Sequence, residues 1–192
     1  MKKNKLLNIA VVVCKSIRVI YIIAFIILTG IFIHVQIAPD SYKKGNYSFN
    51  NTTSGFQISK YNRWKISSPK LEDKDVYTID KILKTSLYIN YLKLVAILLF
   101  IFLATKEFQK IMQSVKNLKT FQKNNVYSFR KIGKYIFIIF LLSSYVKVRF
   151  QQGGVSATHI NLTPLLFVLA AFIMAEIFKE GNALEEENDL TI

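Results

Sequence analysis

The chain has 192 residues, 52% of them hydrophobic and 20% charged, with a formal net charge of +14, so one domain is the natural expectation. Its apolar residues gather in blocks such as "VIYIIAFIILTGIFI" and "LVAILLFIFLA", while Lys and Arg collect between the blocks. A soluble core helix would carry a polar stripe, and these blocks do not, which excludes an ordinary soluble domain and points to helices in lipid.

The start, "MKKNKLLNIAVVVCKS", imitates a signal peptide, but no small cleavage pair follows and Lys15 and Arg18 come straight after the apolar run. It reads as the inner end of an uncleaved first span. Cys14 is the single cysteine, so neither an internal disulfide nor a cysteine metal cluster can form. The expected fold class is an all-α integral membrane protein, one membrane domain over residues 1–192. Its four transmembrane helices fall at about 19–37, 87–105, 132–148 and 162–178.

Between the first two spans, residues 38–86 form an outer loop in which "YSFNNTTSGFQIS" reads as a β-hairpin around an Asn/Thr/Ser/Gly turn. Trp64, between Arg63 and Lys65, suits a headgroup-level anchor. In the second span Lys93 lies about two turns from the outer end, where its stem can carry the ammonium to the headgroups. Residues 106–131 form a basic connection with seven Lys/Arg against one acid. Within it Phe108, Ile111, Met112, Val115 and Leu118 recur at helical spacing, opposite Lys106, Lys110 and Asn117. That pattern describes a basic amphipathic helix able to lie on anionic lipid or to receive a partner. Asn124 or Asn125 can cap the helix that follows.

The fourth span opens with Asn161 or Thr163 as a cap and Pro164 where a helix start tolerates proline. Glu176, in its last turn, can pair with Lys134 or Arg130. Five of the twelve acidic residues then crowd into positions 180–192, "EGNALEEENDLTI". The N-terminal 18 residues carry five Lys/Arg, and with the dense middle connection they place both termini on the cytoplasmic side of the inner membrane.

Chemistry has little foothold. HExxH, phosphate-loop and nucleophile-elbow motifs are missing, and the spans hold no carboxylate pair. No enzyme, cofactor or metal site is expected. His34 and His159 both fall near the outer face, with Asp40 close to the first, as a weak candidate for a pH- or metal-responsive group. The lysines have no reading motif, so direct nucleic-acid binding is not expected.

The acidic tail at 179–192 has two readings. It is a docking segment for a partner, through Glu180, Glu185, Glu186, Glu187, Asp189, Leu190 and Ile192, with Lys110, Lys116 and Lys119 of the basic connection as further partner contacts. Alternatively it folds back as a counter-charge on Lys110, Lys116 and Lys119, with Gly181 a weak point in its helix.

Two stretches carry a family resemblance. "FKEGNALEEENDLTI" resembles the C-terminal signature of the small bacterial membrane proteins grouped as domain of unknown function 2975. "TFQKNNVYSFRKIG" resembles that family's second recognisable stretch, and the four-span layout agrees, so the resemblance extends over nearly the whole chain. Asn125, Arg130, Gly133, Phe178, Gly181, Leu184, Glu187, Asp189, Leu190 and Thr191 fall on those stretches. The resemblance implies a membrane component of a regulatory pair, since the family's genes often lie beside one for a small Cro/CI-type helix-turn-helix regulator. The expected function is therefore a membrane partner that binds or sequesters such a regulator. The alternative is a protective, immunity or transport-like protein acting through its basic outer loop.

Overall fold

The computed structural model describes residues 5–42, 53–54, 57–65, 77–118 and 120–189. Among the described residues four helices dominate: α1 (Lys5–Ile37), α2 (Lys84–Lys116), α3 (Lys123–Ser143) and α4 (Thr163–Asp189). Four strands join them: β1 (Thr53–Ser54), β2 (Gln57–Lys65), β3 (Tyr145–Phe150) and β4 (Gly153–Asn161). Short 3-10 turns lie at Pro39–Tyr42 and Ile79–Lys81.

α1 and α2 each run 33 residues and are long and apolar enough to cross a bilayer. At 1.5 Å per residue each extends about 50 Å, well beyond a hydrocarbon core of about 30 Å. Their apolar side chains stand exposed, as isoleucines 20, 23, 26 and 27 do on α1, which is the surface lipid wants and water does not. The other two expected spans are shorter in apolar content. The unbroken apolar run of α3 is Tyr135–Leu142, and that of α4 is Leu165–Ala175 before Glu176 interrupts it.

The chain divides into two compact units. The first holds residues 1–23, 98–140 and 163–192. Its core is Ile111 of α2, Val126, Phe129 and Ile132 of α3, and Ala171, Ala175 and Phe178 of α4, with Met112, Val115 and Ile136 packed on it. Ile111 and Ala175 are fully buried. Ala171 and Ala175, one turn apart, give α4 a small-residue strip that lets neighbouring helices approach closely. Gly133 does the same for α3, since a Cβ there would lie 3.1 Å from the Phe172 ring.

This core corrects the expectation for residues 106–131. The stretch is not a separate surface helix on lipid. Residues up to Lys116 continue α2, a short turn intervenes, and α3 begins at Lys123. The amphipathic face through Ile111, Met112 and Val115 is covered by α3 and α4, and Phe108 alone of the expected stripe stays 43% exposed within it. Leu118 has left the helix altogether, at a φ of 60°, and is 86% exposed.

The second unit holds residues 24–97 and 141–162. Here α1 and α2 pack through aromatic rings. Phe32 stacks on Tyr91 with centroids 3.9 Å apart, Thr29 Oγ1 bonds to Tyr91 Oη at 3.0 Å, and Tyr88 Oη donates to Gln36 Oε1 at 2.8 Å. Residues 29, 32 and 36 share one helical face, so the contacts follow from spacing.

The sheet in this unit has the strand order β1-β2-β4-β3, all antiparallel. β2 pairs with β4 over its full length, from Gln57↔Asn161 to Lys65↔Gly153. The expected third span is thereby corrected: the helix stops at Ser143, and "YVKVRF" is strand. Its alternation puts Val146, Val148 and Phe150 toward the small core with Tyr77 and Val155, while Tyr145, Lys147 and Arg149 face outward. The hairpin expected in the outer loop is present as the short β1–β2 pair, Thr53↔Ile58 and Ser54↔Gln57, while β2 takes its long partner from beyond α3. Most of "YSFNNTTSGFQIS" lies outside the described residues.

The edge strand β3 is closed by the start of α2. Leu83 N donates to Arg149 O, Asn90 Nδ2 to Lys147 O at 3.0 Å, and Arg149 N to Ser86 Oγ at 3.0 Å. Lys93 Nζ donates to Tyr145 O. Lys93 thus closes the strand's first carbonyl, a structural role for the one lysine within that apolar stretch. Trp64 is likewise part of the sheet. It lies over Gly154, where a Cβ would stand 2.2 Å from its ring, and Lys147 Nζ sits 5.4 Å from its centroid.

Candidate functional site

In the first unit, the two stretches that carry the family resemblance pack against each other. Phe178 of α4 meets Phe129 of α3 with centroids 4.9 Å apart, and Phe121 in the turn before α3 at 5.5 Å. Gly181 is no weak point. The helix continues through it to Asp189, and its bare backbone is where the Phe121 ring rests.

Polar contacts flank this aromatic cluster. Arg130 Nη2 donates to Glu176 Oε1 at 2.7 Å, and Lys179 Nζ reaches Glu176 Oε2 at 3.1 Å. Of the two partners expected for Glu176, Arg130 is the one that meets it. Further out Lys123 Nζ meets Glu186 at 2.8 Å. That carboxylate accepts the Lys123 hydrogen bond and, with its charge, holds the ammonium above its ordinary value. Both side chains are mostly exposed, 70% and 55%, so the contact is weak and easily exchanged.

The expected partner-binding residues divide accordingly. Glu180, Glu185, Glu186 and Glu187 are exposed along the end of α4, which includes Asp189. Lys110 pairs with Glu107 at 2.7 Å instead of with the tail, and Lys116 is half-buried at the end of α2. Lys119, Leu190 and Ile192 lie outside the described residues. Among the described residues Lys123 is a counter-charge of the tail, one that composition alone did not distinguish from its neighbours.

Beside this cluster lies a polar cavity of about 460 Å³. α2 contributes Glu107, Lys110 and Ser114, the turn contributes Gln122, and α3 contributes Asn124, Asn125, Tyr127, Ser128 and Lys131. Asn125 is buried and is not the expected cap, since α3 begins two residues earlier at Lys123. Its Nδ2 donates to Thr120 O at 2.7 Å and to Ser114 Oγ at 2.9 Å, tying the turn to α2. Glu107 is buried as well, and its two oxygens accept from Lys110 Nζ at 2.7 Å and Ser128 Oγ at 2.8 Å. Burial on its own pushes the Glu107 carboxyl up. Those two hydrogen bonds, with the nearby charges of Lys110 and Lys131, outweigh burial and hold it below the usual carboxylate value. The sequence signal was there: Glu107 is the single acid among seven basic residues, three positions before Lys110.

The two histidines are apart in role. His34 Nδ1 bonds to Tyr42 Oη at 2.9 Å, whereas His159 faces Ser59 across the β2–β4 pair and bonds to it and to Gln57. Among the described residues no three His, Cys, Asp or Glu side chains converge as metal ligands.

No curated protein and no solved structure matches the chain. A family model does, described as protein of unknown function DUF2975, over residues 63–192. The match takes in α2, α3, the β3–β4 hairpin and α4 and leaves α1 outside, so it is narrower than the sequence suggested. It includes every residue of the aromatic cluster and the cavity, and on that match the chain belongs to the DUF2975 family.

Proposed function

We propose that this is a multi-pass inner-membrane protein with both termini cytoplasmic, whose four helices cross the bilayer and whose acidic C-terminal helix docks a soluble partner. The observation that carries the reading is the Lys123–Glu186 contact: the acidic end of α4 meets the basic start of α3 through an exposed ion pair. Such an exposed pair is weakly held and screened by salt. A basic partner surface offering several cations would displace it and meet the exposed Glu180 and Glu185 as well. The family resemblance supplies the class of partner, a small Cro/CI-type helix-turn-helix regulator, which membrane binding would withdraw from DNA. For α1 and α2 the reading is supported by length and apolar composition sufficient to cross a bilayer. For α3 and α4 the crossing rests on flanking charge, with Arg130, Glu176 and Lys179 at one level.

The test is capture of that regulator by the full chain in detergent, beside a chain lacking residues 180–192 and a chain carrying Glu185→Lys and Glu186→Lys. Capture by the full chain alone supports docking on the acidic helix. Equal capture by all three moves the contact elsewhere, and no capture removes the regulatory reading. Reporter fusions after residues 42 and 118 check the orientation, with opposite sides expected.

One observation favours the alternative, a protective or transport-like protein. Strand register puts Lys60, Lys147 and Arg149 on one face of the sheet, all exposed, as a basic outer surface for an anionic or amphipathic ligand. Glutamine at all three positions would abolish the protection phenotype on that reading and leave regulator capture untouched.

A further inference from the structure

We propose that the cavity between α2 and α3 binds a phosphate group, carried either by an anionic lipid headgroup or by a small soluble phosphate compound. The inference does not depend on the regulator reading. Three observations lead to it.

The first is charge. One carboxylate, Glu107, faces two ammonium groups, Lys110 and Lys131, and Glu107 is already satisfied by Lys110 and Ser128. The cavity therefore presents a net positive charge to any occupant. The second is donor geometry. Lys110 and Lys131 reach it from two different helices, and a Lys ammonium bonded once to Glu107 keeps two further N–H groups. The opening turns of α3 line the same space through Asn124 and Tyr127, and the N-terminal end of a helix favours an anion. Donors converging from separate directions suit a tetrahedral oxyanion with several acceptors better than a planar carboxylate. The third is position. Glu107 comes two residues after Thr105, where the apolar stretch of α2 ends, which is headgroup depth for a crossing helix. The volume of about 460 Å³ leaves room for a substituent on the phosphate.

The full chain would be purified and placed in phosphatidylcholine nanodiscs. Inorganic phosphate is one probe, read by titration calorimetry. Phosphatidylglycerol is the other, read as lipid retained in native mass spectrometry against phosphatidylcholine. Lys131→Gln is the main variant, since Lys131 is exposed and outside the core. It should weaken binding about tenfold, as loss of one charge-assisted contact does. Lys131→Arg should keep most of the affinity, and Lys15→Gln should change nothing. Tyr127→Phe provides a second, fold-neutral probe and should weaken binding less. Saturable binding of phosphate supports a soluble compound, and selective retention of phosphatidylglycerol supports a headgroup. No saturable binding of either probe, or binding that Lys131→Gln leaves unchanged, overturns the proposal.

Discussion

The Phe121 ring lies directly on the backbone of Gly181: a Cβ built at 181 would stand 2.3 Å from ring Cδ1 and 2.8 Å from Cγ. The contact joins the turn after α2 to the acidic end of α4. Because Cγ lies close to the Phe121 backbone, the ring cannot clear the added carbon by turning its tip alone.

Gly181→Ala therefore reverses the usual helix rule. In an exposed helix this change gains about 1 kcal/mol. Here overpacking against Phe121 should outweigh that gain and leave the variant about 1–3 kcal/mol less stable. In a Phe121→Ala background the collision is gone, and Gly181→Ala should become stabilising. Thermal unfolding of the four chains in detergent gives the coupling directly.

Glu107 should give the chain an acid limb. Its carboxyl is held lower in the folded chain than in the unfolded one. That difference contributes stability in full above the ordinary carboxylate value and is lost as pH falls through the lower folded value. Glu107→Gln should flatten this limb and cost about 1 kcal/mol at neutral pH, discounted because Lys110 is half exposed. Unfolding curves between acid and neutral pH check both statements.

Leu118 sits at a φ of 60° with its side chain almost wholly in the open. A left-handed backbone costs a non-glycine residue about 1–2 kcal/mol, and little packing repays it at this site. Leu118→Gly should raise the unfolding temperature, with a gain of about 1 kcal/mol once the greater freedom of an unfolded glycine is subtracted. A fall instead would mean that Leu118 has an apolar contact in the membrane-bound protein.

Trp64 is the single tryptophan, so its emission reports on the sheet alone. Gly154→Ala would place a methyl group within the ring's space and drive the indole outward. The emission should shift to longer wavelength, with little change in the helical signal. Lys147→Gln removes only the cation over the ring and should alter intensity more than wavelength.

Much of the helical frame could be read from the residues. The blocks around Ile20–Ile37 and Leu94–Leu103 carry no polar stripe, and they became the two long apolar helices. Glu176 was legible as half of an ion pair, a charge beside apolar sequence that needs a partner, but the sequence left Arg130 and Lys134 both open as the other half. β3 was less legible, although Tyr145-Val146-Lys147-Val148-Arg149-Phe150 alternates as a strand should. An apolar run directly before it extended the helix across Ser143 and Ser144 and masked the change of period. The face through Ile111, Met112 and Val115 was found correctly as apolar, but periodicity reports that a face is covered without saying by what. The cover was Phe129 and Phe178, residues that follow after one turn and two further elements. The cavity combines residues from both sides of that turn, so no local motif could announce it.

The full-length pairing of β2 with β4 has a consequence for how the protein is made. Gln57 finds its neighbour only at Asn161, 104 positions later by subtraction. At about 5–20 residues per second of synthesis, β2 exists for about 5–20 seconds before its partner strand is complete. During that interval α2 and α3 emerge in between, and every backbone group of Ser59–Lys65 that β4 will take up is without it. The order of manufacture thus makes β2 the segment most in need of protection in the nascent chain, and slowing translation between Lys65 and Gly153 should lengthen its exposure to proteases in proportion.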